Sequence, residues 1–154
     1  MADFVNPYQP GQPVKEANLF FGRRDVLSSI HEHVVKGRRA FVIGGPRRVG
    51  KTSLLYQLAD QLPDPFLSVY LPVSEARDWD ANQMPQWLAE IIAQQWAEYF
   101  PEAELEPVPP EGGNARHYLL DVFAPHVRDL VGERVLTLLA DDLHALGGEG
   151  SAQQ

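Results

Sequence analysis

Gly45-Pro46-Arg47-Arg48-Val49-Gly50-Lys51-Thr52 is the stretch whose reading decides the fold. It fits G-x-x-x-x-G-K-[ST], the phosphate-binding loop known as Walker A. Ahead of it, Ala40-Phe41-Val42-Ile43 is a short apolar run of the kind a buried parallel strand shows. Behind it, Ser53-Leu54-Leu55-Tyr56-Gln57-Leu58-Ala59 carries apolar residues at helical spacing. Strand, glycine loop and helix in that order are the context the motif requires.

The residue types suit the chemistry. Gly45 and Gly50 let the backbone bend and approach oxygen atoms with no Cβ in the way. The loop N–H groups and the start of the next helix then face an anion. Lys51 places a point charge near the β- and γ-phosphates of a nucleotide, and the Thr52 hydroxyl is a ligand for Mg²⁺. Arg47 and Arg48 are expected to point outward from the loop.

Working outward, residues 1–16 hold three prolines, Pro7, Pro10 and Pro13, which exclude a helix and leave an extended arm or a disordered tail. Asn18-Leu19-Phe20-Phe21-Gly22-Arg23 follows. A helix is predicted from Arg24 to Lys36, with Val26, Leu27, Ile30 and Val34 on one face and Gly37 as its stop. His31 and His33 lie two apart, on different sides of that helix, so they read as solvated or capping rather than as metal ligands.

Arg39 to Gly44 is the first predicted strand. The helix after the loop runs to about Leu62, where Pro63 and Pro65 end it. Phe66 to Leu71 is a second strand by its β-branched and aromatic content, and Pro72 to Asn82 is a connection. Met84, Trp87, Leu88, Ile91, Ile92, Trp96 and Tyr99 mark a long amphipathic helix, with Pro85 in its first turn. Its tryptophans belong to a core or a partner face. Residues 101–114, with four prolines and four glutamates, form a solvated loop. Ala115 to Val131 is helical again, kinked or divided at Pro125.

Val135-Leu136-Thr137-Leu138-Leu139-Ala140 is a near-continuous apolar strand with Asp141-Asp142 at its carboxyl end. Ligands bind at that end of open α/β sheets, and a Walker B acid belongs there. Asp141 is the candidate Mg²⁺ ligand, and Asp142 stands where many ATPases carry the glutamate that activates water. Residues 147–154 read as a flexible tail.

Composition narrows the classes. The length, 154 residues, suits one domain at most. The net charge of −8 gives no overall basic footprint, so nucleic acid is an open but unsupported partner. With no cysteine there is no disulfide or thiol chemistry. The N-terminus shows no signal-peptide pattern and no apolar run reaches membrane-spanning length, so a cytoplasmic location is expected.

Phe21-Gly22-Arg23, the loop through Leu55, and Leu138-Leu139-Ala140-Asp141-Asp142 together resemble AAA-like ATPases of the STAND and archaeal-ATPase type, over roughly residues 17–144. The resemblance implies an α/β fold of the P-loop NTPase kind, three layers α/β/α around a parallel sheet, with residues 17–146 as a partial domain. It also implies that Phe21, Gly22 and Arg23 frame the adenine. The candidate cofactor set is then Phe21, Gly22, Arg23, Gly45, Pro46, Arg47, Arg48, Val49, Gly50, Lys51, Thr52 and Ser53. Lys51 and Asp142 are the catalytic candidates, and Thr52 and Asp141 the metal candidates. ATP and Mg²⁺ are the implied cofactors.

Two departures from the family matter. Asp142 replaces the usual glutamate and is one methylene shorter, which favours slow hydrolysis. The family's sensor strand, arginine finger and lid have no counterpart here, which leaves three predicted strands with a slot in the sheet and unpaired backbone groups. The loop strand and the Walker B strand pair directly, another chain fills the slot, or the chain is the N-terminal piece of a longer ATPase; the last is preferred, and self-association at the open edge is expected. The leading reading is a Mg-ATP-binding module with weak or no intrinsic hydrolysis, and the alternative is a nucleotide-gated interaction scaffold. A GTPase ranks low, because no Asn-Lys-x-Asp motif occurs and no Asp-x-x-Gly follows the Walker B strand.

Overall fold

In the computed structural model, residues 11–38, 40–76, 83–102, 105–107 and 113–146 are described. The first ten residues of the expected arm, Arg39, parts of the 72–82 connection and the 101–114 loop, and the expected tail at 147–154 lie outside the described residues. The chain divides into two compact units, Met1–Leu62 and Pro63–Gln154.

In the first unit, helix α1 spans Arg24–Val35. Gly37, at φ +85°, ends it in a left-handed turn. The Gly37 N–H reaches the Val34 carbonyl at 2.9 Å and the Arg38 N–H reaches that of His33 at 3.0 Å, so the last helical carbonyls are satisfied by a Schellman turn. Helix α2 spans Lys51–Gln61 and buries Leu54, Leu55 and Leu58. Phe20 and Leu27 are the other buried apolar side chains among the described residues of this unit.

Residues 40–44 of the segment expected as the first strand are not in a strand. Residues 40–46 have no strand assignment, and Val42 is 92 % exposed. A buried parallel strand needs a neighbour for its backbone groups, and among the described residues of the first unit there is no other strand for these to pair with. The described sheet therefore has two strands rather than three.

That sheet lies in the second unit. Strand β1, Phe66–Pro72, pairs in parallel with β2, Val135–Asp141, in the register Phe66↔Val135 through Pro72↔Asp141. Helix α3, Gln83–Tyr99, packs its buried residues Trp87, Ala89, Ile92 and Trp96 into the core with Leu67, Val69 and Leu71 of β1. Both tryptophans of this helix are core residues, and Trp96 lies against Phe100 with ring centroids 4.6 Å apart.

The two edges of the sheet differ. On β1, the Gln95 side chain accepts from the Tyr70 N–H at 2.8 Å and donates to the Tyr70 carbonyl at 2.7 Å. The Tyr99 hydroxyl donates to the Ser68 carbonyl at 3.0 Å. Residues 68 and 70 turn their backbone groups to the same side, so α3 seals this edge with side chains. The Val135 N–H donates to the Pro65 carbonyl at 2.9 Å. By the alternation of a parallel ladder, the backbone groups of Leu136, Leu138 and Ala140 face away from β1. Among the described residues no third strand lies there.

The helical stretch expected to kink or divide at Pro125 does divide, into α4, Ala115–Tyr118, a π-helical turn, Leu119–Phe123, and α5, Ala124–Val131. Pro125 has no N–H for the Asp121 carbonyl, and the chain widens just before it: the Ala124 N–H bonds to the Leu119 carbonyl, five residues back. The division keeps Phe123 and Val127 in the core.

Candidate phosphate-binding site

The loop owes its shape to three left-handed positions. Gly45 has φ +146°, Arg48 φ +62° and Gly50 φ +82°. Gly50 is the N-cap of α2, and the first helical bond runs from the Leu54 N–H to its carbonyl at 3.1 Å. By helix geometry the N–H groups of Lys51, Thr52 and Ser53 have no intrahelical acceptor. They make the open, positive end of α2.

Lys51 folds over the loop. Its Nζ donates to the Pro46 carbonyl at 2.9 Å and the Gly45 carbonyl at 3.2 Å. Among the described residues it makes no ion pair. Thr52 and Val49 are half-buried, while Arg47 and Arg48 are exposed, as their outward placement requires. The Arg23 guanidinium donates to the Val49 carbonyl, which ties the Phe-Gly-Arg segment to the loop. Gly22 has φ +84°, and Phe21 is 75 % exposed.

Ser53 is buried, and its Oγ accepts from the Val14 N–H at 2.9 Å. One turn on, Gln57 is fully buried, and its Nε2 donates to the Lys15 carbonyl at 2.8 Å. The end of the predicted arm is thus held against α2. Sequence reasoning missed this role; the signal was present as Ser53 and Gln57, polar residues four apart on the helix.

A cleft of about 360 Å³ opens in the same unit beside Phe20, Arg24, Leu27, His31 and Leu58. His31 is half-buried rather than solvated, and its Nε2 is buried with no hydrogen-bond partner among the described residues. His33 matches its expected place at the surface, with Nδ1 2.6 Å from the Ser29 carbonyl oxygen.

The acidic pair lies in the second unit. Asp141 ends β2 and is buried at 6 % exposure. Its Oδ2 accepts from the Tyr70 hydroxyl at 2.9 Å and its Oδ1 from the Asp142 N–H at 3.0 Å. Each oxygen keeps a further lone pair. Asp142 leaves the strand at φ +55° and is exposed, with His144 Nδ1 3.7 Å from its Oδ1. The two carboxylates, adjacent in sequence, stand in different surroundings. A hydroxyl such as that of Thr52 and a carboxylate such as that of Asp141 are, each by itself, oxygen donors of the type a hard cation prefers.

No helix among the described residues is long and apolar enough to cross a membrane. No curated protein and no solved structure matches the chain. Residues 37–106, which hold the loop, α2, β1 and α3, match the family model of an AAA domain, and this match supports an AAA-like, nucleotide-binding module of the ATPase type.

Proposed function

We propose that the chain is a Mg-ATP-binding module of an AAA-like ATPase of the STAND type, cytoplasmic, with weak or no hydrolysis of its own. The observation that carries this reading is the Lys51 ammonium, held over the loop by the Gly45 and Pro46 carbonyls at the open end of α2. A cation whose partners among the described residues are carbonyl dipoles gains from an anion beside it. In this reading the loop amides and Lys51 bind the phosphates. Thr52 and Asp141 are each proposed as a ligand for Mg²⁺, which would neutralise charge on the phosphates. Phe21, Gly22 and Arg23 border the base, and the Arg23 bond to Val49 joins that border to the loop.

Asp142 is the candidate to orient an attacking water, and its short side chain and left-handed backbone support slow turnover. The same features favour the second reading, a nucleotide-gated scaffold. The side of β2 that carries no third strand among the described residues supports self-association or the docking of a protein partner as part of either reading.

Calorimetry with ATP and Mg²⁺ tests the proposal. Loss of one charge-assisted bond in Lys51→Ala weakens binding by about tenfold or more; equal affinity in the two proteins removes the reading. Competition by GTP identifies the base. Phosphate release that Asp142→Ala abolishes makes the protein an enzyme, and its absence in the wild type favours the scaffold.

A further inference from the structure

Val14 and Lys15 are clasped by one face of the helix that follows the loop. The Val14 N–H goes to Ser53 Oγ, the Lys15 carbonyl takes the Gln57 amide, and Lys15 Nζ sits 4.9 Å from the centre of the Tyr56 ring. Gln57 is fully buried and committed at both ends, because its Oε1 accepts from Gln61 Nε2 at 3.0 Å. A buried amide left without its partner is costly, so release of the clasp strands the donor of Gln57. An eleven-residue helix gains little stability from its own backbone. Contacts along its flank therefore matter for holding it.

Ser53 belongs to two systems. Its backbone N–H is one of the open donors at the start of α2, and its side-chain oxygen holds the strap. An anion that fixes the N–H fixes the residue that carries the oxygen.

We propose that Ser53 and Gln57 are positioning residues, which clasp Val14 and Lys15 so that the strap holds the phosphate-binding end of α2 and bound phosphate tightens the strap in return. The inference rests on the reading of residues 45–53 as a phosphate cradle and adds a coupling to it. Linkage makes the coupling reciprocal: whatever factor the strap contributes to nucleotide affinity, the nucleotide contributes to the closed strap.

The experiment follows the Val14 amide by hydrogen exchange in NMR spectra of the full chain, with and without Mg-ATP, and measures ATP affinity by calorimetry. Two variants break the clasp from opposite sides. Val14→Pro deletes the donated proton and leaves α2 untouched. Gln57→Leu deletes the donor to Lys15 and keeps an apolar side chain in the buried space. Circular dichroism confirms that each variant is folded, and either one suffices if the other is not. The expected result is a Val14 exchange rate that falls about fivefold on adding Mg-ATP, and an ATP affinity about fivefold weaker in the folded variants, the factor one ordinary hydrogen bond carries. A merely structural strap leaves Val14 exchange indifferent to nucleotide. ATP binding with unchanged Val14 exchange and unchanged affinity in the variants overturns the coupling alone. No ATP binding by the wild type overturns the cradle reading and the coupling with it.

Discussion

The Tyr70 hydroxyl donates to Asp141 Oδ2 at 2.9 Å across the β1–β2 pair. Tyr70 is in register with Leu139, so its ring reaches two residues along the neighbouring strand to meet Asp141. Residues so placed project from the same face and lie within reach of a long aromatic side chain. Asp141 is buried, and its other oxygen is held by the Asp142 N–H. The carboxylate is therefore fixed at both oxygens before any ligand arrives.

Tyr70→Phe keeps the ring and removes only the donor. A buried carboxylate oxygen left without its donor costs about 1–3 kcal/mol. The expected outcome is a lower urea midpoint with an unchanged slope. An unchanged midpoint means that the bond contributes nothing to the fold.

Gln95 replaces a strand. Its amide meets both backbone groups of Tyr70 on the outer edge of β1. Gln95→Leu leaves that N–H and C=O without their partner, and a loss of about 1–3 kcal/mol is expected. Gln95→Glu separates the two bonds: the carboxylate still accepts from the N–H but faces the carbonyl with no proton to donate. Stability below wild type is expected for both variants, with faster exchange of the Tyr70 amide in Gln95→Leu. Because an unsealed edge is a template for another strand, Gln95→Leu is also expected to self-associate more in sedimentation. Wild-type stability in both variants refutes the sealing role.

What was legible in the sequence was what local spacing encodes. Gly37 ends α1 where its φ freedom was expected to be used, and β1, α3 and β2 fall close to their predicted limits. The loop residues take the left-handed angles that Gly45 and Gly50 allow. What failed depends on partners far along the chain. Ala40-Phe41-Val42-Ile43 has the composition of a strand, but a strand also needs a neighbour, and composition does not supply one. The clasp of Val14 on Ser53 spans 39 residues and the Tyr70–Asp141 bond spans 71. The Tyr70–Asp141 bond leaves no periodic trace, and the clasp leaves only the i, i+4 spacing of Ser53 and Gln57, which does not name the segment they hold. The π-helical turn was half legible: Pro125 announced a break, but the placement of the widened turn before it follows from keeping Phe123 and Val127 in one core.

Gly50 isolates the contribution of backbone conformation to the loop. It sits at φ +82°, ψ +31° as the N-cap of α2, and a Cβ built on it meets nothing within 4 Å. A side chain there is opposed by the left-handed backbone alone, not by a clash. Gly50→Ala is therefore expected to cost about 1–2 kcal/mol. Gly50→Asn is expected to cost less, because asparagine enters this region more readily. If the cradle reading holds, nucleotide affinity follows the same order, glycine over asparagine over alanine, since the Gly50 angles aim the first N–H groups of α2. Thermal unfolding and calorimetry on the three proteins check both series. An alanine variant as stable as the wild type refutes the conformational argument, and an affinity order that ignores the stability order detaches the loop angle from binding.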